Sequence, residues 1–130
     1  MTDRLLLDTH AVIWSALYPA KLSRSARSAI EDETNRIYFS PVTAMEIATK
    51  VRIGKLDIAR PLTIGFAEQM AARNFIELPL SCAQAELAGS FRSNNNDPWD
   101  RLLAAQARVE NLGLITSDGK MDDFGIRLLW

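Results

Sequence analysis

Residues 4–9 read Arg4-Leu5-Leu6-Leu7-Asp8-Thr9, a short apolar run that ends in a carboxylate. A continuously apolar run of this length, bounded by charges, is typical of a strand that is buried on both faces of a sheet. In parallel α/β sheets, ligands bind outside the carboxyl ends of the strands. The stretch therefore predicts a buried parallel strand with Asp8 at the functional edge of the sheet.

The rest of the chain alternates short apolar segments with helical patterns. Further strands are expected at 37–39, 75–78, 114–116 and 126–129. Helices are expected at 11–17, 24–32, 41–53, 61–73 and 81–91, and from Asp97 to a stop at Gly113. This alternation predicts one domain spanning 1–130, an α/β fold in which helices cover both faces of a mostly parallel sheet of about five strands.

Bulk composition limits the classes of protein that are possible. The formal net charge is −1 and the pI is about 5.8, whereas a high-affinity duplex-binding module would usually be basic. No apolar run approaches the roughly 18 residues of a membrane span, so no membrane association is expected. Cys82 is the only cysteine, which fits a cytoplasmic protein, and its apolar neighbours predict a buried, inert thiol.

Carboxylates recur at element ends and on an apolar helix. Asp118 lies two residues after the fourth predicted strand, which places it at the same sheet edge as Asp8. Asp100 shares a helical face with Ala104 and Ala107, small residues that allow a helix to approach the sheet closely. Glu46 lies in a helix that is apolar nearly all round, and a buried carboxylate needs a cation or hydrogen-bond partners.

Each acid also has an ordinary structural explanation. Asp8 and Asp97 are good helix N-caps, Asp100 at the third helical position is favoured by the helix dipole, and Asp118 precedes a glycine in a turn-forming pair. Glu46 and Lys50 are spaced for a solvated i, i+4 ion pair. We assign Asp97 mainly to capping and keep it as a weaker candidate ligand.

A site built only of carboxylates suits a hard divalent cation such as Mg²⁺ or Mn²⁺, and phosphodiester hydrolysis is the natural reaction for it. His10, the only histidine, lacks the partners of a zinc site or a catalytic triad and is expected to be structural. Two other interpretations stay open. One is phosphoryl transfer through an aspartyl-phosphate, and the other is an RNA-binding or partner-binding module without chemistry.

At these residues the chain resembles the PIN-domain ribonucleases of bacterial toxin–antitoxin pairs, of the VapC type. The resemblance rests on motifs that run in order along essentially the whole chain. They are Leu6-Leu7-Asp8-Thr9-His10, Ser40-Pro41-Val42-Thr43-Ala44-Met45-Glu46-Ile47, Gly54-Lys55-Leu56, Asp97-Pro98-Trp99-Asp100-Arg101-Leu102-Leu103-Ala104-Ala105-Gln106-Ala107, Thr116-Ser117-Asp118 and Leu128-Leu129-Trp130.

The resemblance implies a three-layer α/β/α sandwich, a homodimer, Mg²⁺- or Mn²⁺-dependent cleavage of RNA, and inhibition by a small cognate antitoxin in a toxin–antitoxin assembly. It places the family's acidic quartet on Asp8, Glu46, Asp100 and Asp118. A stand-alone housekeeping nuclease is the alternative within the same fold.

Two positions depart from the subgroup's pattern. Asn95 stands where the subgroup often has a histidine, and Trp99 where phenylalanine is commoner. Cations at the rim that could hold RNA phosphates, or simply be solvated, are Lys50, Arg52, Lys55 and Arg101.

Overall fold

Five parallel strands form the sheet of the computed structural model, which describes residues 2–130. The strands are β1 (Arg4–Leu7), β2 (Arg36–Phe39), β3 (Ile76–Glu77), β4 (Gly113–Ile115) and β5 (Leu128–Leu129), in the order β3-β2-β1-β4-β5. Every neighbouring pair runs parallel. The predicted α/β fold is therefore confirmed, and β1 occupies the middle of the sheet.

Helices connect the strands. They are α1 (Thr9–Leu17), α2 (Arg24–Glu31), α3 (Pro41–Arg52), α4 (Phe66–Ala72), α5 (Cys82–Ser90) and α6 (Pro98–Val109). Short 3₁₀ segments lie at Pro19–Lys21, Asp57–Thr63 and Gly119–Phe124. Within residues 2–130 we find no helix with the length and apolarity needed to cross a membrane.

The two faces of β1 explain the layers. Leu5 and Leu7 pack into one apolar cluster with α1, α2 and α4, whereas Leu6 packs into a second cluster with α6. Side chains of a strand alternate between faces, so an all-leucine strand supplies both cores. Each core lies between the sheet and one layer of helices, so the fold is a three-layer α/β/α sandwich.

Two predicted helix boundaries are wrong. Pro61 does not open a helix but lies inside the 3₁₀ segment, and α4 begins only after Gly65, whose φ of 62° is left-handed. At the other boundary, α6 ends at Val109 because Asn111 adopts a left-handed φ of 53° and Gly113 already belongs to β4. The start of α4 is therefore set by Gly65 rather than by Pro61, and the end of α6 is set by Asn111 rather than by Gly113.

Two expectations about burial also fail. Cys82 is exposed at the first turn of α5 rather than buried. Helix α3 is not buried on all sides as its apolar sequence predicts, because Met45 is 63% exposed and the C-cap residue Ile53 is 49% exposed. Glu46 is nevertheless only 6% exposed, so the inference that this carboxylate is buried is confirmed.

Candidate active site

The carboxyl ends of β1 and β4 open onto a cleft of about 180 Å³. Its lining residues are Asp8, Thr9, His10, Glu46, Lys50, Asp97, Asp100, Leu103, Ser117 and Asp118. All five acids selected from the sequence line this cleft, although four separate parts of the chain supply them. The cleft lies at the sheet edge where parallel α/β proteins bind ligands.

Asp8 is fixed by its position between β1 and α1. Its backbone N–H donates to the carbonyl of Ile115 at 3.1 Å, which continues the β1–β4 pairing by one residue. Its Oδ1 accepts from the N–H of Ala11 at 2.7 Å and caps α1. The predicted cap is confirmed, and it holds the carboxylate at the cleft wall.

Burial raises the pKa of Asp8 from 3.8 to about 6. Hydrogen bonds from Thr116 and Ala11 lower it, but by less than the loss of solvent raises it, and the charge of Asp100 raises it further. A carboxylate that ionises reluctantly in this way gains from a nearby cation.

Glu46 is held on the buried side of α3. Its Oε1 accepts a 2.6 Å hydrogen bond from the hydroxyl of Thr9, and its Oε2 pairs with the ammonium of Lys50. The i, i+4 pair considered from the sequence does form, but with a buried acid and a half-buried lysine. Glu46 therefore meets its need for partners within the protein.

Asp97 and Asp100 enter the cleft from the first turn of α6. Oδ1 of Asp97 accepts from the backbone N–H groups of Trp99 and Asp100 at 2.8 and 3.1 Å, so Asp97 is the N-cap that the sequence predicted. Burial raises the pKa of Asp100, opposed by a hydrogen bond from Asn95. The charges of Asp97, Asp118 and Glu46 raise it further, as expected for acids in one cleft.

Asp118 lies three residues beyond β4 and is exposed. Its Oδ1 accepts from the N–H of Lys120 at 2.9 Å, and its own N–H donates to the Thr116 hydroxyl at 3.0 Å. These two bonds fix the turn and direct Asp118 to the cleft rim. It is the peripheral member of the group.

The donor set fits a hard divalent cation, because every acidic side chain of the cleft offers only oxygen. Among residues 2–130, no three acidic, imidazole or thiol side chains are close enough to share an ion as they stand. Glu46 faces Lys50, and Asp100 faces Asn95. Ligation of one ion by these acids would therefore require side-chain rotation.

Three residues of the site were not singled out from the sequence. Thr9 and Thr43 are buried, and their hydroxyls lie 3.3 Å apart beside Glu46. The hydroxyl of Thr116 accepts from the backbone N–H of Asp118, and it lowers the pKa of Asp8. The spacing in the sequence could have identified two of them. Thr9 directly follows Asp8, and Thr43 lies three residues before Glu46 on the same helical face.

Arg101 is not a free cation at the rim. Its Nε donates to the carbonyl of Ala88 at 2.8 Å, and its Nη1 and Nη2 donate to those of Asn95 and Phe91 at 2.9 and 2.5 Å. Most of its donors are occupied, so Arg101 fixes the loop before α6. His10 is exposed, and its ring centroid lies 5.7 Å from that of Trp14.

Known structures with similar folds include two VapBC structures and a toxin–antitoxin complex. The structure of VapBC2 from Rickettsia felis, bound to a DNA fragment from its promoter, contains a chain with 18% identity and a TM-score of 0.70, over 97% of both chains. A toxin–antitoxin complex from Klebsiella pneumoniae gives 24% identity and a TM-score of 0.63, over 97% of this chain and 96% of that one. VapBC-1 from nontypeable Haemophilus influenzae gives 17% identity and a TM-score of 0.63, also over 97% of this chain and 96% of that one.

No curated protein matches the chain in sequence. The sequence model of the PIN domain, in contrast, matches residues 5–126, which takes in the whole sheet except its last strand and all five acids of the cleft. The chain therefore belongs to the PIN domain family.

Proposed function

We propose that the protein is a metal-dependent endoribonuclease and the toxin of a toxin–antitoxin pair. One observation carries the nuclease proposal, namely that five acids from four parts of the chain line one small cleft at the carboxyl edge of the sheet. Membership of the PIN domain family supports it, since these domains are generally nucleases. Asp8, Glu46, Asp100 and Asp118 are the proposed catalytic, metal-binding residues, and Asp97 contributes mainly by capping α6.

A bound Mg²⁺ or Mn²⁺ would activate water and neutralise the charge that develops on the cleaved phosphate. The residues of the chain prepare the cleft for it. Burial makes the charge of Asp8 unfavourable unless a cation is present, and Asp100 is in the same position. Thr9 holds Glu46 from the buried side.

Among the side chains of the cleft, Lys50 and His10 carry nitrogen donors that suit a phosphate. Lys50 already lies beside Glu46, and His10 lines the same cleft. Glu46 would hold the cation, and the ammonium of Lys50 beside it would bind an RNA phosphate. The remaining rim cations are both exposed: Arg52 is the last residue of α3, and Lys55 lies three residues after it.

The toxin part of the proposal rests on the similar folds. The structures from Rickettsia felis, Klebsiella pneumoniae and Haemophilus influenzae are complexes of toxins with antitoxins. We infer a small cognate antitoxin for this chain and a homodimeric toxin. Exposed apolar side chains, among them Met45 and Ile64 at 63% and 83% exposure, offer contact area for such partners.

The nuclease proposal is tested with purified protein and single-stranded RNA. Cleavage should need Mg²⁺ or Mn²⁺, stop when EDTA is added and return when the cation is restored in excess. Cleavage that continues unchanged in EDTA would contradict metal dependence. Cleavage of DNA but not of RNA would support a nuclease activity but contradict the proposal that the substrate is RNA.

The partner proposal has a separate test. A short reading frame adjacent to or overlapping the start of this gene should encode a protein that copurifies with the chain and suppresses its RNA cleavage. The free chain should elute with twice its 14.5 kDa mass in light scattering. If the chain is a monomer and no protein encoded by a neighbouring gene inhibits its RNA cleavage, the toxin proposal is contradicted and a stand-alone nuclease is favoured.

A further inference from the structure

A second cavity, of about 480 Å³, adjoins the acidic cleft. It is lined by Asn94, Asn95, Asn96, Lys120 and Asp123. From the sequence, Asn94, Asn95 and Asn96 are expected in a loop, and Asp123 is a weaker candidate carboxylate. The volume falls in the range of about 300–1,000 Å³ that is usual for small-molecule sites.

Two hydrogen bonds join this cavity to the cleft. The side-chain amide of Asn95 donates to Oδ2 of Asp100 at 3.0 Å, and the backbone N–H of Lys120 donates to Oδ1 of Asp118 at 2.9 Å. In each case one partner lines the cavity and the other lines the cleft. The two spaces therefore share a wall, and a group in the cavity lies next to the carboxylates.

The loop that forms the cavity is held in place by the protein. Asn95 donates its backbone N–H to Ser93 Oγ at 3.1 Å and accepts from the backbone N–H of Asp97 at 3.0 Å through its own side chain. Arg101 donates from Nη1 to the Asn95 carbonyl at 2.9 Å. A loop fixed at three points needs little ordering when a ligand binds.

The side chains on either side of Asn95 are available. Asn94 and Asn96 are exposed, and within residues 2–130 neither amide makes a hydrogen bond. Lys120 and Asp123 are also exposed and do not pair with each other. The cavity thus presents two free amides, one cation and one anion.

This set of groups suits a nucleobase better than a phosphate. A phosphate site normally carries excess positive charge, whereas the charges of Lys120 and Asp123 cancel. An amide offers a paired donor and acceptor, which matches the edge of a base. Bases of single-stranded RNA are unstacked and open to such contacts.

We propose that this cavity, the asparagine pocket, binds an unpaired nucleobase next to the cleaved phosphodiester and sets a base preference for cleavage. The inference rests on the proposed function, because it supplies the substrate recognition for that same cleft. Asn94 and Asn96 read the base, and Asn95 connects the reading loop to Asp100. Asn95 is a positioning residue, since it acts through the carboxylate it holds.

The test measures RNA binding without cleavage. Four fluorescein-labelled RNA hexamers consist of uridine except at the third position, where each carries a different base. Each hexamer is titrated with the protein in the presence of EDTA, and binding is followed by fluorescence anisotropy. The unmodified protein should bind one hexamer about tenfold more tightly than the weakest. The double variant Asn94→Ala/Asn96→Ala should bind all four with equal, weaker affinity.

Asn111→Gly is the matched control, because Asn111 is an exposed asparagine at the opposite edge of the sheet and its φ of 53° suits glycine. It should keep the full base preference. Thermal unfolding of each variant checks the fold. A preference that survives in the double variant, or its absence from the unmodified protein, would overturn the proposal.

The same experiment separates this inference from the proposed function. Metal-dependent RNA cleavage with no base preference in binding rejects the asparagine pocket alone. Base-dependent binding of the corresponding DNA hexamers, with RNA neither bound nor cleaved, keeps the pocket and rejects the ribonuclease.

Discussion

Three acids of the cleft each perform a backbone task and still face the cleft. Asp8, Asp97 and Asp118 accept their backbone hydrogen bonds through Oδ1. The second oxygen takes no part in these caps. Capping and metal binding, which compete as explanations at the level of sequence, are therefore compatible at the level of atoms.

The raised pKa of Asp8 predicts a pH dependence of stability in metal-free protein. Between pH 3.8 and about 6 the folded state holds a proton that the unfolded state has lost. The free energy of unfolding should therefore fall as the pH rises through this window, by up to about 3 kcal/mol. Urea unfolding with EDTA at several pH values measures it.

Asp8→Asn should remove most of this pH dependence and stabilise the metal-free protein above pH 6. Asp122→Asn is the control, because Asp122 is exposed in the 3₁₀ segment after β4 and should leave the profile unchanged. An Asp8→Asn profile as steep as that of the unmodified protein would mean that another group causes the slope.

At the scale of elements, the two helices that carry Glu46 and Asp100 are tied together at their buried sides. Ser40 caps α3 through the N–H of Val42 and also donates to Oε1 of Gln106 in α6 at 2.5 Å. Gln106 is fully buried and donates in turn to the carbonyl of Leu78. This bond fixes the separation of the two helices next to the cleft.

Ser40→Ala should lower the free energy of unfolding by about 2–4 kcal/mol, since it removes a cap and leaves a buried amide oxygen without a donor. Ser23→Ala is matched, because Ser23 caps α2 through Ala26, and among residues 2–130 its hydroxyl makes no hydrogen bond to another helix. It should cost only about 1 kcal/mol. Equal losses in urea unfolding would show that the bond to Gln106 contributes nothing.

The sequence predicts the type of almost every element but not all boundaries. Repeating patterns such as Leu5-Leu6-Leu7 identify strands because burial on both faces requires apolar side chains throughout. The start of α4 was misplaced because a proline is compatible with a 3₁₀ turn as well as with a first helical turn. Such choices depend on tertiary packing, which local residue preference does not encode.

At the scale of the molecule, the acids were predictable because the sheet edge gathers strand ends that are far apart in sequence. The asparagine pocket was not, since Asn94 and Asn96 have no periodicity and an asparagine run is read simply as a loop. The role of Arg101, which the sequence leaves open, was likewise not predictable, because only the fold shows that loop carbonyls surround it. The resemblance to PIN domains, drawn from the ordered motifs, is confirmed.

Cation binding should stabilise the whole fold. At a Mn²⁺ concentration of 100 times the dissociation constant, the gain in unfolding free energy is about 2.7 kcal/mol. Differential scanning fluorimetry should therefore show a higher midpoint with Mn²⁺ for the unmodified protein and for Asp122→Asn. The shift should be small or absent for Asp8→Asn, and an undiminished shift there would place the ion elsewhere.

The most direct measurement is the single-turnover rate constant of RNA cleavage with Mg²⁺ or Mn²⁺, compared between Asp100→Asn and Asp122→Asn. Asp100 lines the cleft, whereas Asp122 is an exposed acid outside it. We expect a loss of at least about 100-fold for Asp100→Asn, the order of effect of removing one group that stabilises transition-state charge, with an unchanged rate for Asp122→Asn. Equal rates for the two folded variants would contradict a nuclease site built on these carboxylates.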